Sequence, residues 1–248
     1  MRLKKLFRTF RSAFFRFPVI RLLRFIRLRS LNPVSRKFGM NRGKPVDRYY
    51  IEAFLEKYSK DIRGCALEIG GSVYSSMFGA DRITHQDILH AVPGNPNANI
   101  VGDLSTGKGI PIEKYDCLIV TQTLHVIYDV RTAVANIHRA LVPGGVALVT
   151  LPGISQLSRY DMERWGDFWR FTNLSAGRIF AELFGETNVD VIYYGNVLSA
   201  VGFLHGLPAE EFSEKELNFN DPDYQVLVCV RAEKRIDKFE HSGAKKNT

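Results

Sequence analysis

The sequence predicts an α/β fold with a doubly wound, mostly parallel sheet. Two observations predict it: helical and strand-like segments alternate from Val46 onward, and the strand-like segments are almost continuously apolar. Strands of that kind are buried on both faces, which requires helices on both sides of a parallel sheet. The chain has 248 residues, of which 45% are hydrophobic and 24% are charged. It is therefore expected to form one large domain with extensions, and it does not fit a disordered or collagen-like class.

The predicted elements follow one another along this pattern. A helix is predicted over residues 47–59, because Tyr50, Phe54, Leu55 and Tyr58 recur at spacings of three and four residues. A second helix is predicted over residues 131–141, and strands over residues 65–69, 82–87, 100–103, 115–121, 146–151, 189–194 and 224–230. The stretch between the last two strands is expected to be rich in loops.

The charge of the chain is unevenly distributed. The net charge is +8, but residues 1–44 hold 14 Lys and Arg and no Asp or Glu, which leaves 20 basic against 26 acidic residues in residues 45–248. Any attraction to an anionic surface is therefore expected to come from the N-terminal arm. The sequence divides into this basic arm at residues 1–44, a main domain at residues 45–232 and a polar, flexible tail at residues 233–248.

The arm has the pattern of a basic amphipathic helix. Its apolar side chains recur at spacings of three and four residues at Leu3, Leu6, Phe7, Phe10, Phe14 and Phe17. We expect residues 1–30 to lie in an anionic membrane interface, with packing on a protein and nucleic-acid binding as alternatives. The apolar runs are shorter than a secretory signal or a membrane span requires. The protein is therefore expected to be cytoplasmic and peripheral at the inner face of the membrane.

The cysteines predict neither a disulfide framework nor a metal site. Cys65, Cys117 and Cys229 lie far apart in apolar runs, and none belongs to a cluster with metal-ligand spacing. We expect buried thiols in a reducing compartment.

The residues that follow the predicted strands carry the chemistry, because an open parallel sheet binds ligands beyond the carboxyl ends of its strands. The first strand leads into Gly70 and Gly71, and glycines let the backbone approach a ligand and expose its N–H groups. Asp87, expected at the end of the second strand, is spaced as a carboxylate that binds ribose hydroxyls. Asp103 and Leu104, after the third strand, suit the edge and the face of an adenine.

In this order and at these spacings, the motifs resemble those of the class I S-adenosylmethionine-dependent methyltransferases, in particular the methyltransferase type 11-like group. The resemblance covers residues 46–232 and also rests on Tyr115 and Asp116, on residues 121–125 and on residues 141–145. It implies a Rossmann-like, mostly parallel, seven-stranded sheet with an antiparallel last strand, and S-adenosyl-L-methionine as the cofactor. The family usually has further glycines where residues 72–74 follow Gly71 here, so a non-catalytic protein with a degenerate cofactor site is an alternative.

The resemblance also implies roles for individual residues. The residues expected to bind the cofactor are Glu68, Gly70 and Gly71 at its methionine and ribose region, Asp87 at the ribose, Asp103 and Leu104 at the adenine, and Thr121 and Gln122 beside the sulfonium. Methyl transfer needs an aligned and deprotonated acceptor. His125 is the candidate base, because an imidazole pKa near 6.5 suits proton removal from a hydroxyl. Its alternative is a histidine that lines or caps the pocket.

Residues 158–172, after the fifth strand, hold both tryptophans of the chain together with arginines and carboxylates. Aromatic faces beside charged groups suit a polyhydroxylated ring, and the alternative is a lid helix whose aromatic residues pack inward. The candidate substrate-binding residues are Tyr160, Asp161, Trp165, Trp169 and Arg170. The Trp-Arg-Phe-Thr stretch at residues 169–172 resembles methyltransferases that accompany glycosyltransferases in bacterial surface-polysaccharide synthesis.

The resemblance thus implies O-methylation of a sugar or glycan end, with a glycosyltransferase as a candidate partner. A lipid-linked acceptor would also explain the membrane-seeking arm. One alternative is a lipid or quinone acceptor, which predicts an apolar tunnel behind Trp169 instead of a polar cleft. A nucleic-acid acceptor is disfavoured, because the main domain is acidic and lacks an Asn/Asp-Pro-Pro-aromatic motif for a flipped base.

Overall fold

The computed structural model of the chain describes residues 30–236, so the amphipathic pattern of the arm and most of the tail lie outside the described residues. The helices are α1 Val46–Lys57, α2 Val130–Ala140, α3 Arg159–Met162, α4 Asn173–Phe184, α5 Val197–Leu204 and α6 Glu214–Asn218. The strands are β1 Gly64–Ile69, β2 Ile83–His90, β3 Ile100–Val101, β4 Tyr115–Thr121, β5 Leu141–Pro152, β6 Val189–Tyr194 and β7 Leu227–Glu233. No helix within residues 30–236 is long and apolar enough to cross a bilayer.

Seven strands of the described residues form one sheet in the order β3-β2-β1-β4-β5-β7-β6. The pairs from β3 to β5 are parallel, and β7 runs antiparallel between β5 and β6. This confirms the predicted Rossmann-like, doubly wound sheet with an antiparallel last strand. The strand order reverses between β1 and β4, and the crevice beyond such a reversal is where α/β sheets bind ligands.

Helices cover both faces of the sheet, as its apolar strands require. Helices α2 and α4 bury Ile137 and Phe180 against one face. Helices α1 and α5 bury Phe54 and Phe203 against the other. Each helix presents one apolar stripe to the sheet, and Leu118, at the centre of β4, is fully buried. The sheet is thus a rigid base on which the ends of β1, β2 and β4 are held in fixed positions.

Three helices, α4, α5 and α6, occupy stretches in which the sequence pattern predicts no helix. Helix α4 follows residue 172, and α5 lies in the apolar, glycine-containing stretch expected to form strand and loop. Each begins with a reciprocal cap, in which Thr172 pairs with Ser175 and Asn196 pairs with Ser199. Such caps satisfy the first free N–H groups of a helix and fix where it begins. The loop-rich interpretation was therefore wrong for residues 197–204, whereas no element was predicted for residues 173–184.

Strand β2 also differs from its prediction, because it continues to His90 instead of ending at Asp87. Leu89 pairs with Ile69 of β1 and with Ile100 of β3, and the carbonyl oxygen of His90 accepts from the Gly102 N–H at 3.1 Å. These ladder bonds carry the strand three residues further. These bonds determine that His90, and not Asp87, is the last residue of β2. They therefore determine which side chain of β2 borders the cleft.

Residues 34–44 of the predicted arm lie against the main domain. The N–H groups of Val34 and Ser35 donate to the His205 carbonyl at 2.8 and 3.1 Å, and Arg42 forms a salt bridge with Glu211 at 3.1 Å. Gly39 has φ +90°, and a Cβ there would lie 3.1 Å from the carbonyl oxygen at the end of α5, so the turn requires glycine. This segment is therefore held beside α5.

Candidate active site

A cleft in two parts follows the carboxyl ends of β1 and β4. The β2-side chamber has a volume of about 710 Å³, and the α1-side chamber, which also borders residues 36–40 and 155–161, has a volume of about 760 Å³. Both volumes lie in the ordinary range for small-molecule sites. The residues that line both chambers are Ile69, Gly70, Gln122 and Asp161. An elongated ligand can therefore lie in one chamber and present a group to the other at this junction.

The glycine turn after β1 leaves free space for a ligand. Gly70 has φ +78°, a backbone conformation that favours glycine, and a Cβ added to Gly70 or Gly71 would meet no protein atom within 4 Å. The Gly70 N–H donates to the Leu89 carbonyl at 2.8 Å, and Asn95 Nδ2 donates to the Gly70 carbonyl at 3.0 Å. The turn is therefore fixed from both sides while its Cα face stays open to the cleft, as a cofactor site requires.

Glu68 holds the loop that follows this turn. Its carboxylate is buried and accepts from the N–H groups of Tyr74 and Ser75 at 3.2 and 2.8 Å. Burial raises the pKa of Glu68, and the backbone hydrogen bonds only partly oppose that rise. The side chain lines the α1-side chamber, where the sequence places it, and it also shapes the chamber wall by ordering residues 74–75.

The structure does not bring Asp87 to the cleft, which corrects the expected position of this residue. Its side chain is buried three residues before the end of β2, and its carboxylate accepts from Lys114 at 2.5 Å, Asn99 at 2.8 Å and Tyr115 at 2.9 Å. His85 Nε2 lies 3.0 Å from the same carboxylate. Burial alone would raise the pKa of Asp87, but these hydrogen bonds outweigh it and lower the pKa. Asp87 therefore joins β2 to the segment that opens β4.

His90 stands at the strand end where an acidic residue was expected. It lines the β2-side chamber, and its Nδ1 lies 2.7 Å from the Val92 carbonyl oxygen. Nδ1 also lies 3.4 Å from the Val92 N–H, but the shorter contact is with the carbonyl oxygen, which only accepts, and a proton on Nδ1 would leave Nε2 free for a ligand. The Trp165 ring packs against the imidazole at 6.1 Å and 81°. Sequence reasoning missed His90, because only the ladder bonds of β2 and β3 place it at the strand end.

Asp103 and Leu104 line the β2-side chamber, as the sequence predicts. The Asp103 carboxylate accepts from the Ser105 N–H and the Ser105 hydroxyl, each at 2.7 Å, so it is oriented by its own turn and retains lone pairs for a ligand. Leu104 is buried, and its carbonyl accepts from Asn136 Nδ2 at 2.7 Å. A fixed acceptor beside an apolar wall suits a purine ring with an exocyclic amino group.

The end of β4 contributes a strained residue to the junction. Thr121 lines the α1-side chamber, and Gln122, which follows it, has φ +47°. A positive φ is unfavourable for a non-glycine residue and persists only where surrounding contacts hold the backbone. Here the Gln122 N–H donates to the Thr150 carbonyl at 3.0 Å. Both residues lie where the sequence places them, beside the point at which the chambers meet.

His125 lies in the wall of the α1-side chamber and is buried. Burial lowers its pKa below the ordinary value of 6.5; the nearby Asp167 opposes this shift and Arg170 adds to it. The ring is therefore neutral near pH 7, the form in which an imidazole accepts a proton. Its carbonyl accepts from the N–H groups of Phe168 and Trp169 at 2.8 and 3.3 Å, which connects the histidine to the segment after β5.

The structure separates the two tryptophans. Trp165 lines the β2-side chamber, not the chamber beside His125. Trp169 borders neither chamber: its indole N–H donates to the carbonyls of Ile127 and Tyr128 at 3.1 and 3.2 Å, and its ring packs on Tyr128 at 5.8 Å. The expectation that Trp169 lines a substrate site is therefore corrected, because its one polar atom is used to hold residues 127–128.

The other predicted substrate residues line the α1-side chamber. Tyr160 is exposed, with the Arg164 guanidinium 3.6 Å above its ring. Arg170 forms a salt bridge of 2.5 Å with Asp167 and donates to the Gln156 carbonyl at 2.8 Å. The expected lid helix is only the short α3, because Gly166, with φ +102°, and the turns around it interrupt the helical pattern.

Four cationic residues of the α1-side chamber, Arg36, Lys37, Arg48 and Arg159, were not among the predicted site residues. Arg36 and Lys37 come from the packed part of the arm, and Arg48, in the first turn of α1, donates to the Tyr74 hydroxyl at 2.8 Å. A basic side chain at the start of the first helix was visible in the sequence, but nothing in the pattern indicated that the arm folds back. Within residues 30–236 no group of three or more His, Cys, Asp or Glu could hold a metal ion.

Comparisons with known proteins agree with this geometry. Residues 80–149, which span β2 to most of β5, match the family described as methyltransferase domain. A structure described as a SAM-dependent methyltransferase from Archaeoglobus fulgidus is 13% identical, with a TM-score of 0.50 over 75% of this chain and 94% of its own. The N-methyltransferase NodS from Bradyrhizobium japonicum, solved with S-adenosylhomocysteine, is 12% identical, with a TM-score of 0.47 over 82% and 94%. No curated protein matches.

The structural likeness shows the fold, and the family match covers β2 to most of β5 but neither β1 nor the glycine turn that follows it. The open glycine turn, the fixed acceptor Asp103 and the apolar wall around Leu104 fit an adenosine-bearing cofactor. These features fit S-adenosylmethionine, and the match of residues 80–149 to the methyltransferase domain agrees with this cofactor.

Proposed function

We propose that the protein is a class I S-adenosylmethionine-dependent methyltransferase that acts on a hydroxyl of a polar acceptor, a sugar or a glycan end, in polysaccharide biosynthesis. One observation carries the proposal: the α1-side chamber meets the β2-side chamber at Gly70 and Gln122, and His125 lies in its wall. An acceptor in the first chamber would be next to the reactive end of a cofactor in the second. His125 would then remove the proton of the attacking hydroxyl.

The residues of the β2-side chamber would hold the cofactor's nucleoside. Asp103 would accept from the adenine amino group, Leu104 would cover the ring, and His90 Nε2 would accept from a ribose hydroxyl. When bound, S-adenosylmethionine supplies a methyl group on a positively charged sulfur. Asp161, which lines both chambers, places a carboxylate near that end of the cofactor, and Arg48 suits the methionine carboxylate.

The polarity of the α1-side chamber favours this acceptor over a lipid or a quinone. Its wall includes the polar residues Gln122, Ser155, Gln156 and Ser158 in addition to ionic groups such as Asp161, although apolar side chains such as Phe38 and Leu157 also line it. A polyhydroxylated ring can bond to such groups, whereas an isoprenoid or acyl chain would leave them unpaired. The proposal therefore rests on the chemistry of the wall and not on Trp169.

We also propose, on the sequence of the arm, that residues 1–30 bind an anionic membrane surface and that a glycosyltransferase is a partner. The arm combines ten basic residues with aromatic and aliphatic residues in its first 30 positions. Such a segment gains about 1 kcal/mol per basic residue near anionic lipid, in addition to apolar burial. The protein would then work at the cytoplasmic face of the membrane.

The test is transfer of a labelled methyl group from the cofactor to a panel of free nucleotide sugars, lipid-linked glycans, quinones and phospholipids. We expect label on a glycan hydroxyl, and His125→Asn should lower kcat by about 10² to 10⁴-fold. The matched control His138→Asn changes a histidine away from the cleft and should leave kcat unchanged. Label found on a quinone or a lipid chain would overturn the proposed acceptor. Failure of S-adenosylhomocysteine to bind, by calorimetry, would instead favour the non-catalytic alternative.

A further inference from the structure

We infer that the acceptor carries a phosphate or diphosphate group, bound by three cations at the opening of the α1-side chamber. These cations, called the basic mouth, are Arg36, Lys37 and Arg159. The inference rests on the proposed function, because it names the substrate class of the same cleft. It places the anion at the solvent side of the chamber, while the reacting hydroxyl lies at the inner side, near His125.

The charges of the basic mouth are not neutralised by the described protein. Arg36, Lys37 and Arg159 are exposed, and within residues 30–236 no carboxylate forms a salt bridge with them. Arg36 donates to Asn32 Oδ1 at 3.3 Å, and Arg159 Nη1 lies 3.7 Å from Met162 Sδ. Neighbouring cations that share one opening repel one another, so a ligand anion between them would be stabilised.

The positions of these cations are fixed by the backbone that carries them. The Gln156 side chain donates to the Arg36 carbonyl at 3.0 Å, and the Gln156 carbonyl accepts from Arg170 at 2.8 Å. The Lys37 N–H donates to the Ser35 hydroxyl at 3.1 Å. The folded part of the arm and the segment after β5 are thus joined, and their cations face one chamber from two sides. Preorganised donors of this kind bind an anion at a lower entropic cost than free side chains.

The chamber carries charges of both signs. The carboxylates Glu68 and Asp161 line it together with Gly70, and Asp161 also lines the β2-side chamber, whereas the basic mouth consists of exposed cations at residues 36–37 and 159. Arg159 lies in residues 45–248, which carry more acidic than basic residues, whereas Arg36 and Lys37 belong to the basic residues 1–44. A neutral sugar would need no cations at the opening, while a phosphate ester offers several oxygens to guanidinium and ammonium groups.

The experiment measures binding of phosphate-bearing probes to the full chain saturated with S-adenosylhomocysteine, by calorimetry. The probes are inorganic diphosphate, UDP-glucose, and dodecyl phosphate below its micelle concentration. Glucose is the neutral control. We expect at least one phosphate probe to bind while glucose binds at least about tenfold more weakly, and raising NaCl from about 50 to about 200 mM should weaken the phosphate complex severalfold.

The charge reversal Arg36→Glu, Lys37→Glu and Arg159→Glu, made together, should raise the Kd of that probe at least about tenfold. The matched control reverses three exposed cations away from the cleft, Lys60→Glu, Arg178→Glu and Lys215→Glu, and should change the Kd less than about twofold. Both variants must keep the wild-type Kd for S-adenosylhomocysteine, which also shows that they fold.

The probes distinguish two sources of the same anion. Stronger binding of UDP-glucose supports a soluble nucleotide sugar, and stronger binding of dodecyl phosphate supports a lipid-linked acceptor. The inference is overturned if no phosphate probe binds to the loaded protein, or if the two triple variants lose equal affinity. In either case, intact binding of S-adenosylhomocysteine would show that the cofactor site is functional. Failure of the phosphate inference can therefore be distinguished from failure of the proposed function.

Discussion

The two chambers of the cleft are built in different ways. The β2-side chamber is formed by the ends of β1, β2 and β4 and by apolar residues such as Leu104 and Phe168. The α1-side chamber is also bordered by residues 36–40 and 155–161, which lie outside the strands and contribute Arg36, Lys37, Arg159 and Asp161 to its wall. The β2-side chamber thus follows from the sheet, whereas the α1-side chamber depends in part on connecting segments that can vary independently of the sheet.

The largest expected effect concerns the glycine turn between the chambers. Gly70→Ala should weaken S-adenosylhomocysteine binding at least about 100-fold by calorimetry, because the new Cβ would occupy the open face and the φ of +78° is strained for alanine. Gly94→Ala is the matched control: it has φ +111° and equally open space but borders neither chamber. Both variants should lose about 1 kcal/mol of unfolding free energy. Equal affinities would show that the cofactor does not use this turn.

A smaller effect should distinguish the role of His90 from that of Asp87. His90→Ala should weaken S-adenosylhomocysteine binding about tenfold, because a ribose hydroxyl loses its acceptor. Asp87→Asn should leave that affinity within about twofold but lower the midpoint of thermal unfolding, because the Lys114 ammonium loses the charge of its partner. If only Asp87→Asn lost affinity, Asp87 would be the ribose ligand. The role proposed for His90 would then be wrong.

The smallest effect is a pH dependence. Because burial lowers the pKa of His125, the folded protein keeps the base neutral to a lower pH than a free imidazole would. We therefore expect kcat/KM to change less than about twofold between pH 8 and pH 6.5 and to fall below that range. The unfolded chain binds this proton first, so stability should also decline as pH drops through 6.5. A fall in kcat/KM that begins above pH 7 would show that His125 is not the base.

The sequence predicted the sheet well, because each strand depends on a local apolar run between turns. β4 and β6 agree with their predicted bounds, and the strand ends put Gly70, Asp103 and Gln122 in the cleft. The incorrect predictions share one physical cause: each of these features depends on contacts between residues that are far apart in the sequence.

Pairing with β1 and β3 decides where β2 ends, so His90 could not be distinguished from Asp87 by spacing alone. The approach of residues 34–44 to the end of α5 gave no local signal, and the bonds from Trp169 to residues 127–128 gave none either. Reciprocal capping by Thr172 and Asn196 was a signal in the sequence, and it could have identified α4 and α5.

The central claim is that one cofactor lies across the junction of the two chambers. A crystal structure of the full chain with S-adenosylhomocysteine tests it most directly. We expect the adenine beside Asp103 and Leu104, a ribose hydroxyl within 3.2 Å of His90 Nε2, and the sulfur at the junction, facing the chamber that contains His125. Density for the ligand outside the β2-side chamber, or with its sulfur directed away from Gln122, would contradict the account.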